Sequence, residues 1–261
     1  MKNFIAILKS LIILILSITL LMLLIGNCTP LLAQTDVRAG QYSHSLEKEI
    51  SLKLNIDYLL YIPEAYSTTD KAWPLILFLH GAGERGDDLS KVLIHGPPKL
   101  IAKENRAFPF IIVSPQCPEN DFWTSKIQIE TLNALLDEIV SKYRIDKRKI
   151  YVTGLSMGGY GTWSLATTYP DRFAAIAPIC GRGNPEEAGK IAHLPIWVFH
   201  GAKDQTVPIK SSEDMVEALK KAGSDVKFTV YPEAGHDSWT VTYENPELYD
   251  WFLQHTNSRA E

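Results

Sequence analysis

Residues 75–79, 110–113, 150–153, 174–177, 196–199 and 226–230 are short apolar runs rich in β-branched and aromatic side chains. That is the pattern of strands covered on both faces. Between these runs Leu132, Leu135, Leu136, Ile139, Val140 and Tyr143 recur at helical spacing, and Met215, Val216, Leu219 and Ala222 repeat it, so each group predicts one buried helix face. The second of these helices is expected to begin from Ser211 or Ser212 as cap and to stop at Gly223. A last helix is expected from Asn245 as cap and Pro246 at the first position, burying Leu248, Trp251 and Phe252. Ahead of all these, residues 49–54 alternate Ile50, Leu52 and Leu54 with polar neighbours, and residues 56–62 run up to Pro63. The two stretches read as a hairpin. An opening hairpin followed by alternating strands and helices predicts an α/β architecture, a mainly parallel twisted sheet of about eight strands with helices on both faces.

The first 33 residues follow a different pattern. Lys2 and Lys9 precede a nearly unbroken apolar run over 11–25, with no acidic residue, the layout of a signal peptide. Extended back to Phe4, the same run is long enough for an uncleaved membrane anchor. Lipidation at Cys28 is a third option, although Asn27 stands where a lipobox has a small residue. The chain is therefore divided into a leader or N-terminal anchor at 1–33, a linker at 34–44 and one catalytic domain at 45–261. Export is the expected localisation, secreted, periplasmic or at the cell surface. Removing the leader leaves 261 − 33 = 228 residues with 24 − 30 = −6 formal charges, enough for one sizeable core and unsuited to nucleic acid or an anionic membrane as partner. Cys117 and Cys180 follow strands expected about three positions apart, farther than a disulfide spans, although loops could bring them together.

Candidate chemistry concentrates at the exits of the predicted strands. Residues 150–153 lead into Gly154-Leu155-Ser156-Met157-Gly158, a G-x-S-x-G strand-to-helix elbow that holds a serine hydroxyl clear of a sheet. Ser156 is the candidate nucleophile; the plain alternative is a glycine-rich helix entry with a buried serine. A serine hydroxyl needs a base, and the base an orienting acid. Asp204 follows the run at 196–199 and His236 the run at 226–230, in the chain order Ser, Asp, His. His200 closes an apolar run and suits a structural role; His95 and His193 precede the required strands. Asp237 adjoins His236 in sequence, and Asp225 starts a strand at the wrong edge. For the oxyanion, donors are expected at the backbone N–H of Met157 and in the loop His80-Gly81-Ala82-Gly83, with Ala82 ahead of Gly83. Glu84, Arg85, Asp87 and Asp88 read as a solvated or internally paired charged loop. Trp123 and Trp239 lie in strand-exit loops, where either could wall a substrate cleft or pack in the core. No HExxH, CxxC or other metal-ligand spacing occurs in the sequence, and neither metal nor cofactor is expected.

These runs carry a family resemblance. Residues 77–86 (Leu-Phe-Leu-His-Gly-Ala-Gly-Glu-Arg-Gly), 114–118, 154–163 and 235–239 resemble α/β-hydrolases of the group that covers polyhydroxybutyrate-depolymerase-like and feruloyl-esterase-like enzymes, phospholipase/carboxylesterases and sequences often labelled peptidases. The resemblance spans about 49–254 and implies Ser156, Asp204 and His236 as a triad that hydrolyses an ester. The readings in competition are a serine esterase, a peptidase of similar fold, and an inactive surface binding protein on a hydrolase scaffold. Only residues 178–195 separate two neighbouring strands where lipase-like relatives insert a lid, and Gly181, Gly183, Pro185 and Gly189 fall within them. No large cap fits there, so the cleft is expected to be open and suited to short acyl or aryl esters, on a small molecule or on a carbohydrate or polyester.

Overall fold

The structure is a computed structural model that describes residues 43, 45–48, 51 and 53–259. The leader, Cys28, Glu49, Ile50, Leu52 and nearly all of the linker lie outside the described residues. The chain divides into two compact units, Met1–Ser51 and Leu52–Glu261. In the first, the described residues are exposed and have no regular secondary structure.

The second unit carries a sheet of seven strands: β1 Tyr58–Tyr61, β2 Trp73–Leu79, β3 Ile111–Pro115, β4 Ile145–Leu155, β5 Ala175–Ile179, β6 Trp197–Gly201 and β7 Lys227–Tyr231. Their spatial order is β1-β3-β2-β4-β5-β6-β7. All neighbours are parallel except β1, which pairs antiparallel with β3 in the register Tyr58↔Pro115 to Tyr61↔Ile112. The described residues give seven strands, against about eight expected, and half of the first stretch of the expected hairpin lies outside them. Ser51, Lys53 and Leu54 are not strand, and among the described residues β1 pairs with β3 at the end of the sheet.

The apolar runs of β2 to β6 are buried on both faces because their side chains alternate between two cores; the run at 226–230 departs from that expectation, since β7 is an edge strand and leaves Val230 38% exposed. Leu75, Leu77 and Leu79 of β2 enter one core and Ile76 and Phe78 the other. Ile150 and Val152 of β4 likewise oppose Tyr151. This period of two is the strand geometry itself, since successive Cβ atoms point to opposite faces.

Seven α-helices cover the described sheet: α1 Gly96–Glu104, α2 Lys126–Lys142, α3 Met157–Thr168, α4 Ala188–Ile191, α5 Lys210–Lys221, α6 Trp239–Glu244 and α7 Pro246–Gln254. Helices α2 to α5 pack on the first core through residues such as Leu132, Trp163, Ile191 and Met215, and α1, α6 and α7 on the second through Leu100, Tyr243, Leu248 and Phe252. The start of α7 is as its sequence dictates: Asn245 Oδ1 accepts the Glu247 N–H at 3.0 Å and Pro246 opens the helix. Helix α5 begins two or three residues earlier than its serines suggest, with Ile209 at the cap position. The Ser212 hydroxyl is unavailable for capping because it faces His200 inside the core. Between β5 and β6 the chain forms only a 3-10 turn, Pro185–Glu187, and the one-turn helix α4.

Candidate active site

Parallel strands deliver their C-terminal ends to one edge of the sheet, and four of the loops leaving that edge meet there. Ser156 lies directly after β4, with φ 51° and ψ −115°. A non-glycine residue holds such a conformation only where its surroundings over-determine it. Here they do: the Ser156 N–H donates to Ile179 O at 3.0 Å and Ser156 O accepts from Tyr160 N at 3.0 Å. Two residues on, a Cβ at Gly158 would come within 1.9 Å of Leu79 O and 2.8 Å of His80 O. The glycine lets the start of α3 press against the end of β2.

The three candidate side chains form one hydrogen-bonded chain. His236 Nε2 stands 3.0 Å from Ser156 Oγ, and His236 Nδ1 stands 2.7 Å from Asp204 Oδ2. A carboxylate can only accept, so the imidazole proton sits on Nδ1 and Nε2 is left to accept from the serine hydroxyl. The other carboxylate oxygen, Oδ1, accepts the N–H groups of Thr206 and Val207, each at 2.9 Å. Burial by itself would raise the Asp204 pKa. Hydrogen bonds from His236, Val207 and Thr206 outweigh it and hold the carboxyl below its ordinary value, so it is an anion at neutral pH.

Of the rival histidines, His200 is fully buried at the end of β6. Its Nε2 lies 2.8 Å from Val207 O and 3.2 Å from Asp204 Oδ2, while Nδ1 faces Ser212 Oγ at 2.7 Å. His193 approaches Pro170 O at 3.2 Å. Asp237 does not face His236: its oxygens accept from the Thr240 N–H and hydroxyl, both at 3.0 Å.

Met157 is the first residue of α3, and Ala82 the first of a 3-10 turn, Ala82–Glu84. The opening N–H groups of a helix have no carbonyl partner within it. Gly158 brings the start of α3 against Leu79 and His80 at the end of β2, just ahead of Ala82 and Gly83 in the chain. Arg85 Nε donates to Ala82 O at 3.0 Å and fixes the peptide between Ala82 and Gly83.

The two tryptophans separate. Trp123 does not wall a cleft: it is fully buried, its indole N–H donates to His80 O at 3.0 Å, and its ring meets the His80 ring edge-on at 5.1 Å. An indole with an N–H to place gains more inside, where a strand-end carbonyl accepts it, than on the surface. Trp239 is half-exposed and stands perpendicular to the His236 ring, with centroids 5.1 Å apart.

For Glu84 the solvated reading of the charged loop fails. It is 7% exposed rather than part of a solvated loop, with Oε1 3.8 Å from His95 Nε2 and Oε2 3.9 Å from His80 Nδ1. His80 itself is pushed down to about 4, chiefly by burial, with the Arg85 charge adding to it against the hydrogen bond to Gly81 O. It is therefore neutral at pH 7, donating from Nδ1 to Gly81 O at 2.6 Å and accepting the Cys117 N–H on Nε2 at 3.0 Å. Neither Glu84 nor His95 could be singled out from sequence, because their proximity is a property of the loop packing.

Cys117 and Cys180 are free thiols, both buried. Ligand atoms of Cys180, Asp204 and His236 lie within 4.8 Å of one another. They are poorly disposed to hold a metal: Asp204 and His236 are hydrogen-bonded to each other, and burial raises the Cys180 thiol to about 12, well above the range where it gives up its proton.

Comparison with known proteins agrees with this arrangement of strands and loops. The profile of the dienelactone hydrolase family matches residues 120–249. A carboxymethylenebutenolidase-type protein of Yersinia pestis is 29% identical over 140 residues, 44% of this chain and 50% of that protein. A poly(3-hydroxyoctanoate) depolymerase of Pseudomonas fluorescens is 25% identical over 170 residues, 56% of this chain and 59% of that enzyme. The crystal structure of a thermostable esterase superposes with a TM-score of 0.67 at 33% identity, covering 77% of this chain and 59% of the esterase. The chain thus spans about half the length of the curated relatives it matches.

Proposed function

Given that the chain is an α/β-hydrolase, we propose that it is a serine esterase acting on short acyl or aryl esters, with Ser156, His236 and Asp204 as its triad. The observation that carries the proposal is the unbroken chain from Ser156 Oγ to His236 at 3.0 Å and from His236 to Asp204 at 2.7 Å.

In this reading Ser156 Oγ attacks the ester carbonyl carbon while His236 Nε2 takes the hydroxyl proton. Asp204 keeps the imidazole in the tautomer that can accept and stabilises the imidazolium that results. The carbonyl oxygen, now an anion, is met in this reading by the N–H of Met157 and by that of Ala82 or Gly83, backbone donors at the start of α3 and of the Ala82–Glu84 turn. Collapse of the tetrahedral intermediate breaks the C–O bond, His236 returns its proton to the leaving alcohol, and an acyl-Ser156 ester remains. Water, deprotonated by the same Nε2, then releases the acid and restores the serine.

The short connection between β5 and β6 supports an open site. Burying a methylene is worth about 0.8 kcal/mol only where a pocket surrounds it. A long acyl chain therefore gains little here, whereas an ester on a bulky alcohol can enter. The depolymerase relative supports a polymer-borne ester as one form of substrate. The apolar leader at 11–25 supports export.

Rates on acetyl, butyryl, palmitoyl and feruloyl esters and on a peptide anilide test this. The acetyl, butyryl or feruloyl ester should give the highest kcat/KM. A maximum on the palmitoyl ester or the anilide refutes the reading.

A further inference from the structure

Glu84 is a carboxylate inside the protein with no lysine or arginine paired to it among the described residues. Its side chain is 9% exposed, and its Oε2 makes no hydrogen bond there. A group of this kind is costly to bury, so what it faces matters. His80 is one neighbour, but the Nδ1–H of that ring is already given to Gly81 O at 2.6 Å. The other is His95, whose Nε2 lies 3.8 Å from Glu84 Oε1.

His95 reaches this position through the residue after it. Gly96 has φ 65°, and a Cβ there would lie 2.4 Å from Cε2 of the Phe78 ring. Only glycine turns the chain at this point, and the turn sets His95 over the loop Ala82–Glu84. The indole N–H of Trp239 donates to His95 Nδ1 at 3.3 Å, which leaves the His95 proton on Nε2, the nitrogen that faces Glu84. Trp239 therefore stands between two imidazoles. Its ring meets His95 at 5.4 Å and 67°, and His236 at 5.1 Å and 89°.

We propose that Glu84, His95 and Trp239 form a brace that sets the His236 ring from the side of the oxyanion loop, and that all three are positioning residues for the proposed reaction. The proposal rests on the esterase reading above. The His236 Nε2 changes from acceptor to donor within each turnover, and only 23% of the His236 side chain is exposed. A ring in that situation needs a wall that does not move. Trp239 supplies the wall and His95 anchors it by its N–H. Glu84 sets its carboxylate 3.8 Å from the N–H-bearing Nε2 of His95, a charge–dipole contact rather than a hydrogen bond, and it belongs to the same turn as Ala82 and Gly83. The brace thus ties the base to the oxyanion donors. Loosening it lowers the fraction of bound substrate in reactive geometry, an effect on kcat and not on KM.

The test compares His95→Leu, His95→Asn, Glu84→Gln, Trp239→Phe and the double variant His95→Leu/Trp239→Phe, using p-nitrophenyl acetate, thermal melting and the low-field NMR proton between His236 and Asp204. His95→Leu should lower kcat about tenfold with KM within about twofold and little change in Tm. His95→Asn should restore most of the loss, because its amide oxygen can take the indole N–H. Trp239→Phe keeps a ring but no N–H, and should match His95→Leu; the double variant should lose no more than the worse single one, as residues acting as a unit do. Glu84→Gln should fall between wild type and His95→Leu. The low-field proton should broaden in His95→Leu and sharpen again in His95→Asn. Wild-type kcat in His95→Leu, or equal losses in the leucine and asparagine variants, overturns the brace. If the wild type cleaves no ester and takes up no phosphonate, the esterase reading fails instead. The low-field proton still reports on the brace in that case, since it needs no turnover.

Discussion

His200 Nε2 lies 3.2 Å from Asp204 Oδ2, the same oxygen that faces His236 Nδ1 at 2.7 Å. Two histidines, one from strand β6 and one from the loop after β7, thus converge on one buried carboxylate oxygen. With Nδ1 accepting from the Ser212 hydroxyl, the His200 proton sits on Nε2 and is shared between Val207 O and Asp204. Replacing His200 by Phe should strand the Ser212 hydroxyl and Val207 O, at about 1–3 kcal/mol for each buried group left unpartnered. It should also lower kcat by about tenfold by freeing the carboxylate. Urea denaturation and ester kinetics check both. Unchanged stability would show that the side chain is not held as described.

Asp204→Asn should leave the fold intact and lower kcat/KM well beyond tenfold, because the amide no longer selects the Nδ1–H tautomer of His236. Asp237→Asn is the control. That carboxylate faces Thr240, so turnover should change less than about twofold. A larger effect at Asp237 than at Asp204 would transfer the acid role to the neighbour.

Ser156→Ala should fold and lose nearly all turnover and phosphonate labelling, and adding His236→Ala should cost little more, since triad members act together. The backbone at this position makes a second, independent statement. At φ 51° and ψ −115° a glycine is less strained than alanine, so Ser156→Gly should be more stable than Ser156→Ala by about 1 kcal/mol. Equal urea midpoints for the two variants would argue against a strained elbow.

His80 makes stability depend on pH. Burial holds its folded pKa at about 4, below the ordinary histidine value of 6.5. Above 6.5 both states are neutral and the histidine adds no pH dependence. Below it the unfolded chain takes up a proton that the folded chain refuses, so stability falls as pH drops from 6.5 towards 4 and levels off beneath. The full span is on the order of 3 kcal/mol. Urea midpoints between pH 7.5 and 4 should show the decline, and His80→Gln should flatten it. A slope that survives the substitution belongs to other groups.

Much of this molecule is legible in the sequence because the information is local. The strands of the α/β sheet announce themselves as apolar runs, since burial on both faces demands it, and the caps of α7 stand in the sequence as Asn245 and Pro246. The G-x-S-x-G elbow is local for the same reason: a sharp turn with neighbours pressing on it needs glycine where Gly158 meets Leu79 O. The order of Ser156, Asp204 and His236 along the chain, together with strand exits sharing one edge, puts the three in one neighbourhood without stating any distance.

The tertiary structure decided what depends on how loops pack over that edge. Sequence left Trp123 and Trp239 equivalent, two indoles in two strand-exit loops. One turned inward because His80 O accepts its N–H, and the other stayed beside His236 because His95 accepts its own. A charged run read as solvated or internally paired put Glu84 in the interior, since side-chain polarity along a loop does not say which of the two applies or what closes over it. The start of α5 moved because Ser212 served His200 across the fold instead of the helix end beside it. For Trp123, Trp239 and Ser212 the partner is more than ten residues away in sequence, and a hydrogen bond that forms only after the sheet has assembled leaves no period or spacing to read.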